Sequence, residues 1–204
     1  MRLLALVALL LSLPAVVLAG DLTVSVRDAA GRPVRDAVVT VHPAAGASGP
    51  IRFAWPLRVT QQQLQFQPYV LVVPVGQAVS FPNLDRVRHH VYSFSRGNRF
   101  EIELYGRDET RSHTFRAPGT VAIGCNIHDQ MLAYIRVVDT PFAAKTEASG
   151  DVVLRNVPAG AATLRIWHPT LNVRGNETSR AFTVTAAAGR QTFSGDFSGR
   201  AAAR

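Results

Sequence analysis

Apolar and polar residues alternate along most of this chain with a period of two, the pattern of strands that bury one face. The runs fall at Leu22 to Val26, Ala37 to Val41, Tyr69 to Val73, Ala78 to Phe81, His90 to Phe94, Phe100 to Leu104, Gly119 to Cys125 and Ala133 to Val138. Further runs follow at Val152 to Leu154, Thr163 to Trp167 and Ala181 to Thr185. Gly31-Arg32-Pro33, Gly46 to Pro50, Pro82-Asn83, Pro118-Gly119 and Pro158-Ala159-Gly160 separate them as turns. No segment sustains a helical period, so the chain is expected to be all-β, a sandwich or a barrel.

Both ends depart from the pattern. Met1-Arg2, an apolar run from Leu3 to Leu13, Pro14 and then Val17-Leu18-Ala19 make residues 1–19 a secretory signal peptide, cleaved after Ala19. An uncleaved membrane anchor is the alternative, but the run is short for a bilayer span and nothing later is long and apolar enough for one. The mature chain is therefore expected in the periplasm, without stable membrane insertion. Residues 186–204, rich in Ala, Gly, Ser and Arg, are expected to be a flexible tail.

Charge narrows the partners. Basic residues number 22 against 14 acidic ones, and nearly all are arginine. Such a surface steers a protein toward acidic partners, anionic membranes or nucleic acid. Export, and the lack of a lysine-rich or aromatic-interleaved basic run, argue against nucleic acid. An acidic protein partner and a merely solvated basic face both remain open. The single cysteine, Cys125, has no intrachain disulfide partner. A bare thiol in an oxidising compartment invites oxidation, so either a ligand occupies it or it is a buried, inert thiol.

The neighbours of Cys125 favour a ligand. Cys125-Asn126-Ile127-His128-Asp129-Gln130-Met131 brings a thiolate, an imidazole and a thioether onto one short loop at the end of a predicted strand. That soft donor set suits copper, since a thioether is a poor zinc ligand. Another histidine must complete a trigonal site, and His89 and His90 are the candidates. Adjacent residues of a strand point to opposite faces, so at most one of them reaches the metal. His42, His113 and His168 read as surface or core histidines.

These residues carry a family resemblance. Phe81-Pro82-Asn83-Leu84-Asp85-Arg86-Val87-Arg88-His89-His90-Val91 resembles the aromatic-x-Asn-(six residues)-His-Asn-Val stretch of the cupredoxins, especially amicyanin. On that pattern His89 takes the ligand position, His90 replaces the usual Asn, and Met131 falls on the axial position. Thr114-Phe115 and Pro118-Gly119-Thr120 resemble the run that precedes the cysteine strand in that family. Asp21 to Val41 and Lys145 to Pro169 resemble the front and back of a carboxypeptidase-regulatory-like, transthyretin-type sandwich. The whole chain also resembles exported chains labelled methylamine utilisation proteins.

The resemblance implies a cupredoxin-like Greek-key β-sandwich over 51–139, inserted in or joined to a second, transthyretin-like sandwich made of 20–50 and 140–185. A single enlarged sandwich is the alternative. It implies one type 1 (blue) copper ion held by His89, Cys125, His128 and Met131, with His90, Asn83, Asn126 and Ile127 around them or, for His90, as an alternate ligand. The backbone N–H of His90 would donate to the Cys125 sulfur, and that of Ile127, which the proline of related loops lacks, would add a second donor. Electrons would leave through the edge of His128, in an apolar patch that includes Leu132, while Arg86 and Arg88 steer an acidic redox partner. The Val121 to Gly124 segment lacks the aromatic pair usual before the cysteine, which puts the packing behind the site in doubt.

The function expected is periplasmic single-electron transport. Copper storage or delivery through the same ligands is the alternative, and a binding module with a merely structural metal is another. Four protein ligands leave no open position, and no Ser-His-Asp, paired-carboxylate or phosphate-loop pattern is present, so no enzymatic activity is expected.

Overall fold

The period-two segments become strands in the computed structural model, which describes residues 18–47, 49–187 and 189–199. In chain order they are β1 (Ala19–Asp28), β2 (Val38–Pro43), β3 (Thr60–Gln62), β4 (Gln65–Gln67), β5 (Val70–Pro74) and β6 (Ala78–Pro82). Next come β7 (His89–Ser93), β8 (Phe100–Tyr105), β9 (Thr110–Thr114), β10 (Gly119–Gly124) and β11 (Leu132–Val138). The remainder are β12 (Ala143–Lys145), β13 (Asp151–Pro158), β14 (Gly160–Trp167), β15 (Glu177–Val184) and β16 (Gly189–Gly195). Among the described residues the only helical element is a short 3-10 turn, Arg174–Asn176, and the protein is an all-β sandwich fold.

The middle of the chain builds one set of sheets. Five strands pair in the order β5-β11-β10-β7-β8, accompanied by the pairs β6-β9 and β3-β4. Phe81, Val91, Phe115, Val121, Ile123, Ile135 and Val137 fill the space between them, together with Cys125 and Met131. The two ends of the chain build the other set, β13-β1-β16 and β12-β2-β14-β15. Val24, Val26, Val39, Val41, Leu164 and Ile166 form its separate core.

A third cluster joins the two sets. Val70, Val72, Ala122, Tyr134 and Val138 of the five-stranded sheet pack against Val38, Ala143 and Trp167 of the outer sheets. Strand β5 reads Val-Leu-Val-Val-Pro and is buried at every position because each of its faces meets a core: Leu71 and Val73 on one, Val70 and Val72 on the other. Strand β8, at the far edge of the sheet, is buried only at Phe100 and Tyr105, its two ends.

The C-terminal expectation needs correction. Residues 186–204 are not all a flexible tail, since β16 pairs in parallel with β1 from Leu22↔Gly189 to Asp28↔Gly195. Phe193 and Phe197 pack against the outer core, and small residues between them hide the alternation. Residues 200–204 lie outside the described residues, as do residues 1–17 of the expected signal peptide. Among the described residues no helix is long and apolar enough to cross a membrane.

Candidate metal centre

The start of β7, the end of β10 and the loop from β10 to β11 converge at one end of the five-stranded sheet's inner strands. Strand β10 ends at Gly124, and the next residue, Cys125, is fully buried. The chain then turns back through a bond from the Met131 amide to the His128 carbonyl, 2.9 Å, before β11 begins. His89 opens β7 with its ring at 0% exposure, facing the same space.

One donor atom from each of His89, Cys125 and His128 lies within 4.8 Å of those of the other two. The Cys125 sulfur is 3.6 Å from His128 Nδ1 and 4.0 Å from His89 Nδ1. The two imidazole rings stand edge to face at 4.9 Å. Met131 is buried in the same apolar cluster as Cys125. His89, Cys125 and Met131 are buried, and His128 is partly exposed.

His90 behaves as strand alternation requires. Its ring turns to the other face, where Nε2 lies 2.8 Å from Glu101 Oε1, and Nδ1 is buried with no hydrogen-bond partner among the described residues. Cys125 takes neither backbone donor expected of it: among the described residues its hydrogen-bonding neighbours are the two imidazoles, not the amides of His90 or Ile127. Ile127 is half exposed and Asn126 is exposed. Tuning through the Ile127 amide therefore has no hydrogen bond to act through.

Asn83 shapes the loop before His89. Its side-chain amide donates to the Val87 and Tyr105 carbonyls at 2.9 and 3.1 Å, and its carbonyl oxygen accepts from the Asp85 amide at 2.9 Å. The Tyr105 hydroxyl, buried beneath, donates to the Phe81 carbonyl at 2.8 Å and accepts from Gln61. Burial pushes Tyr105 up to about 12, so it stays a donor at any physiological pH. Arg86 and Arg88 are exposed on this loop. Leu132 is half buried and helps line a surface depression of about 520 Å³ with Leu64, Tyr69 and Gln130.

One residue of the site was not singled out from the sequence. Asp85 Oδ2 lies 2.8 Å from His89 Nε2, so that nitrogen carries the proton and Nδ1 keeps its lone pair toward the sulfur. This is the carboxylate-histidine arrangement that fixes the ring of a metal-binding histidine. Burial pushes His89 below the ordinary imidazole value against the pull of Asp85, and His128 pushes the same way. Burial alone would raise Asp85, but the amides of Leu64 and Gln63 and the His89 ring together hold it low. A carboxylate four residues before the candidate ligand was the available signal; only the fold shows that it turns back.

Burial also pushes His42, His113 and His168 down. Because the folded values lie below the unfolded value of about 6.5, the unfolded chain takes up these protons first. Stability of the metal-free protein should therefore fall as pH drops below about 6.5, and fall again through the carboxylate range near 4 as Asp85 is protonated. Thermal unfolding from pH 8 to 3 checks this, and a midpoint unchanged between pH 7 and 5 would contradict the first step.

The donor set fits copper. A thiolate and two imidazoles with a buried thioether alongside are soft and nitrogen-rich, with no carboxylate among the converging atoms.

No family model matches the chain, and no curated protein matches it. Among solved structures, a purple cupredoxin from Nitrosopumilus maritimus aligns over 40% of this chain and 98% of its own, with 20% identity and a TM-score of 0.36. A reduced amicyanin carrying a tryptophan-to-tyrosine substitution aligns over 50% of this chain and 99% of its own, at 19% identity and a TM-score of 0.38. A copper-containing nitrite reductase from Thermus scotoductus is 27% identical over 56% of this chain and 28% of its own, with a TM-score of 0.40.

Proposed function

We propose that this protein holds one copper ion in a type 1 (blue) site and carries single electrons between redox partners in the periplasm. The observation that carries the reading is the convergence of His89, Cys125 and His128, three donors from two distant segments, within 4.8 Å of one another. Met131, buried beside Cys125, is the fourth ligand of the proposal.

Copper supplies a one-electron couple between its cuprous and cupric forms. The chain supplies the rest. Burial of Cys125, His89 and Met131 excludes water and keeps the donors from rearranging between states. Asp85 keeps His89 in one tautomer and one orientation. The partly exposed His128, next to the half-exposed Ile127, is the place where a partner comes nearest to the site.

Sealed ligands favour retention of the ion over its exchange, and thus a carrier over a storage or delivery protein. A redox titration of the copper-loaded protein tests this. The carrier reading expects one electron per chain and full retention of copper through repeated cycles; loss of the ion on each reduction would reject it in favour of delivery. The exposed Arg86 and Arg88 fit an acidic partner, so the association rate with an acidic redox protein should fall as salt rises. A rate insensitive to ionic strength would remove the arginines from this role.

The outer sheets are read as a second, transthyretin-like module, discontinuous in sequence around the inserted 51–139 segment. The pairing of strands from both chain ends supports this.

A further inference from the structure

The β3-β4 hairpin turns at Gln63 and Leu64, whose φ angles are 57° and 56°. Two successive left-handed residues make a type I′ turn, for which Asn-Gly is the favoured pair, and a leucine at positive φ is an outlier. Strain of this kind persists only where the surroundings dictate the conformation. Here the surroundings are one carboxylate. The Gln63 amide donates to Asp85 Oδ1 at 2.7 Å and the Leu64 amide to Oδ2 at 3.0 Å.

The same Oδ2 accepts His89 Nε2–H at 2.8 Å. The hairpin is also tied to the Asp85 loop from below, where the Leu84 amide donates to the Gln61 carbonyl at 2.9 Å. Among the described residues no lysine or arginine pairs with Asp85: its carboxylate meets two neutral amides and the His89 ring. Side-chain rotation of Asp85 would break all three of these bonds together.

We propose that the Gln63-Leu64 turn is a positioning element for the metal centre, acting through Asp85. Its two amides hold the carboxylate in the orientation that takes His89 Nε2–H, which presents Nδ1 to Cys125 and His128 before any metal arrives. Among the described residues no hydrogen bond joins the turn to a candidate ligand, and its two amides reach His89 through the Asp85 side chain. The inference rests on the reading of His89 as a ligand, but half of its test does not need metal.

Three variants separate positioning from simple hairpin closure. A Gly-Ser-Gly insertion between Gln63 and Leu64 removes the paired amides, Asp85→Asn weakens the acceptor, and Gln63→Asn combined with Leu64→Gly relieves strain while keeping both amides. The readouts are the nitrogen chemical shifts of the His89 ring in metal-free protein and copper affinity against a chromophoric chelator. The insertion and Asp85→Asn should each shift the ring nitrogens away from the fixed Nε2–H tautomer and weaken copper binding by about 10- to 100-fold. Together they should do no more than either alone, because both cut one relay. The Asn-Gly variant should match the parent.

An insertion variant with parental ring shifts and parental affinity overturns the proposal. Should the insertion fail to fold, hydrogen exchange in Asp85→Asn decides: the Gln63 and Leu64 amides and the His89 ring proton should all exchange faster, and parental rates at the two amides would overturn it. A parent that binds no copper sinks the electron-carrier reading, while the ring shifts of metal-free protein still judge the turn.

Discussion

Cys125→Ser should leave the fold standing and abolish tight copper binding. Serine is close to isosteric, and the two imidazole nitrogens already within 4.0 Å of the sulfur offer the buried hydroxyl hydrogen-bond partners. Nothing in the converging group replaces a soft anionic donor, since it holds no second thiol and no carboxylate. Loss of a partner outside the ligand set typically costs about 10- to 100-fold in metal affinity. Loss of the thiolate should exceed that range and remove the intense sulfur-to-copper absorption. Chelator competition and an optical spectrum read both effects; a variant that keeps parental affinity would place the metal elsewhere.

Trp167→Ala should bring the largest loss of stability. Trp167 is 1% exposed and sits at the junction of the two sets of sheets. Its ring meets Tyr134 edge to face at 5.7 Å and carries the Arg136 guanidinium at 5.7 Å from its centroid. Arg136 in turn pairs with Glu177 of β15, a second tie between the sets. Truncating a buried tryptophan costs about 3–5 kcal/mol, and each kcal/mol moves the midpoint of a chain this size by roughly 2–4 °C. Because His89, Cys125 and His128 lie on the opposite face of the sheet from this junction, copper binding by the folded variant should match the parent. Calorimetry should show the outer sheets and the inner core melting in separate steps. A single transition displaced by less than about 1 kcal/mol would deny the junction this role.

What was legible in the sequence was whatever a local pattern encodes. Strands β5, β10 and β11 stand out as apolar runs because both of their faces are buried, and C-x-x-H-x-x-M declares a donor set on one loop. Alternation required His89 and His90 to face opposite ways, and the resemblance, through the spacing from Asn83, chose His89 to face Cys125. What was hidden depends on contacts between distant segments. The β3-β4 hairpin has no Gly or Asn at its turn, and the carboxylate of Asp85, 21 residues beyond Leu64, takes both turn amides. Asp85 itself resembles any loop acid until the turn amides and the His89 ring converge on it.

Strand β16 escaped notice because its small, polar residues resemble a tail; pairing with β1 and two phenylalanines recruit it to the outer core. The expected N–H donors to sulfur failed for a related reason. They follow from a family pattern, and here the Cys125 sulfur faces the two imidazoles.

The most direct test of the metal centre is an optical titration of the purified mature protein with cupric ion. One equivalent should produce a saturating, strongly blue or violet species that bleaches on reduction and returns on oxidation. A colourless complex, or one whose weak colour survives in Cys125→Ser, would contradict a copper site built on this sulfur.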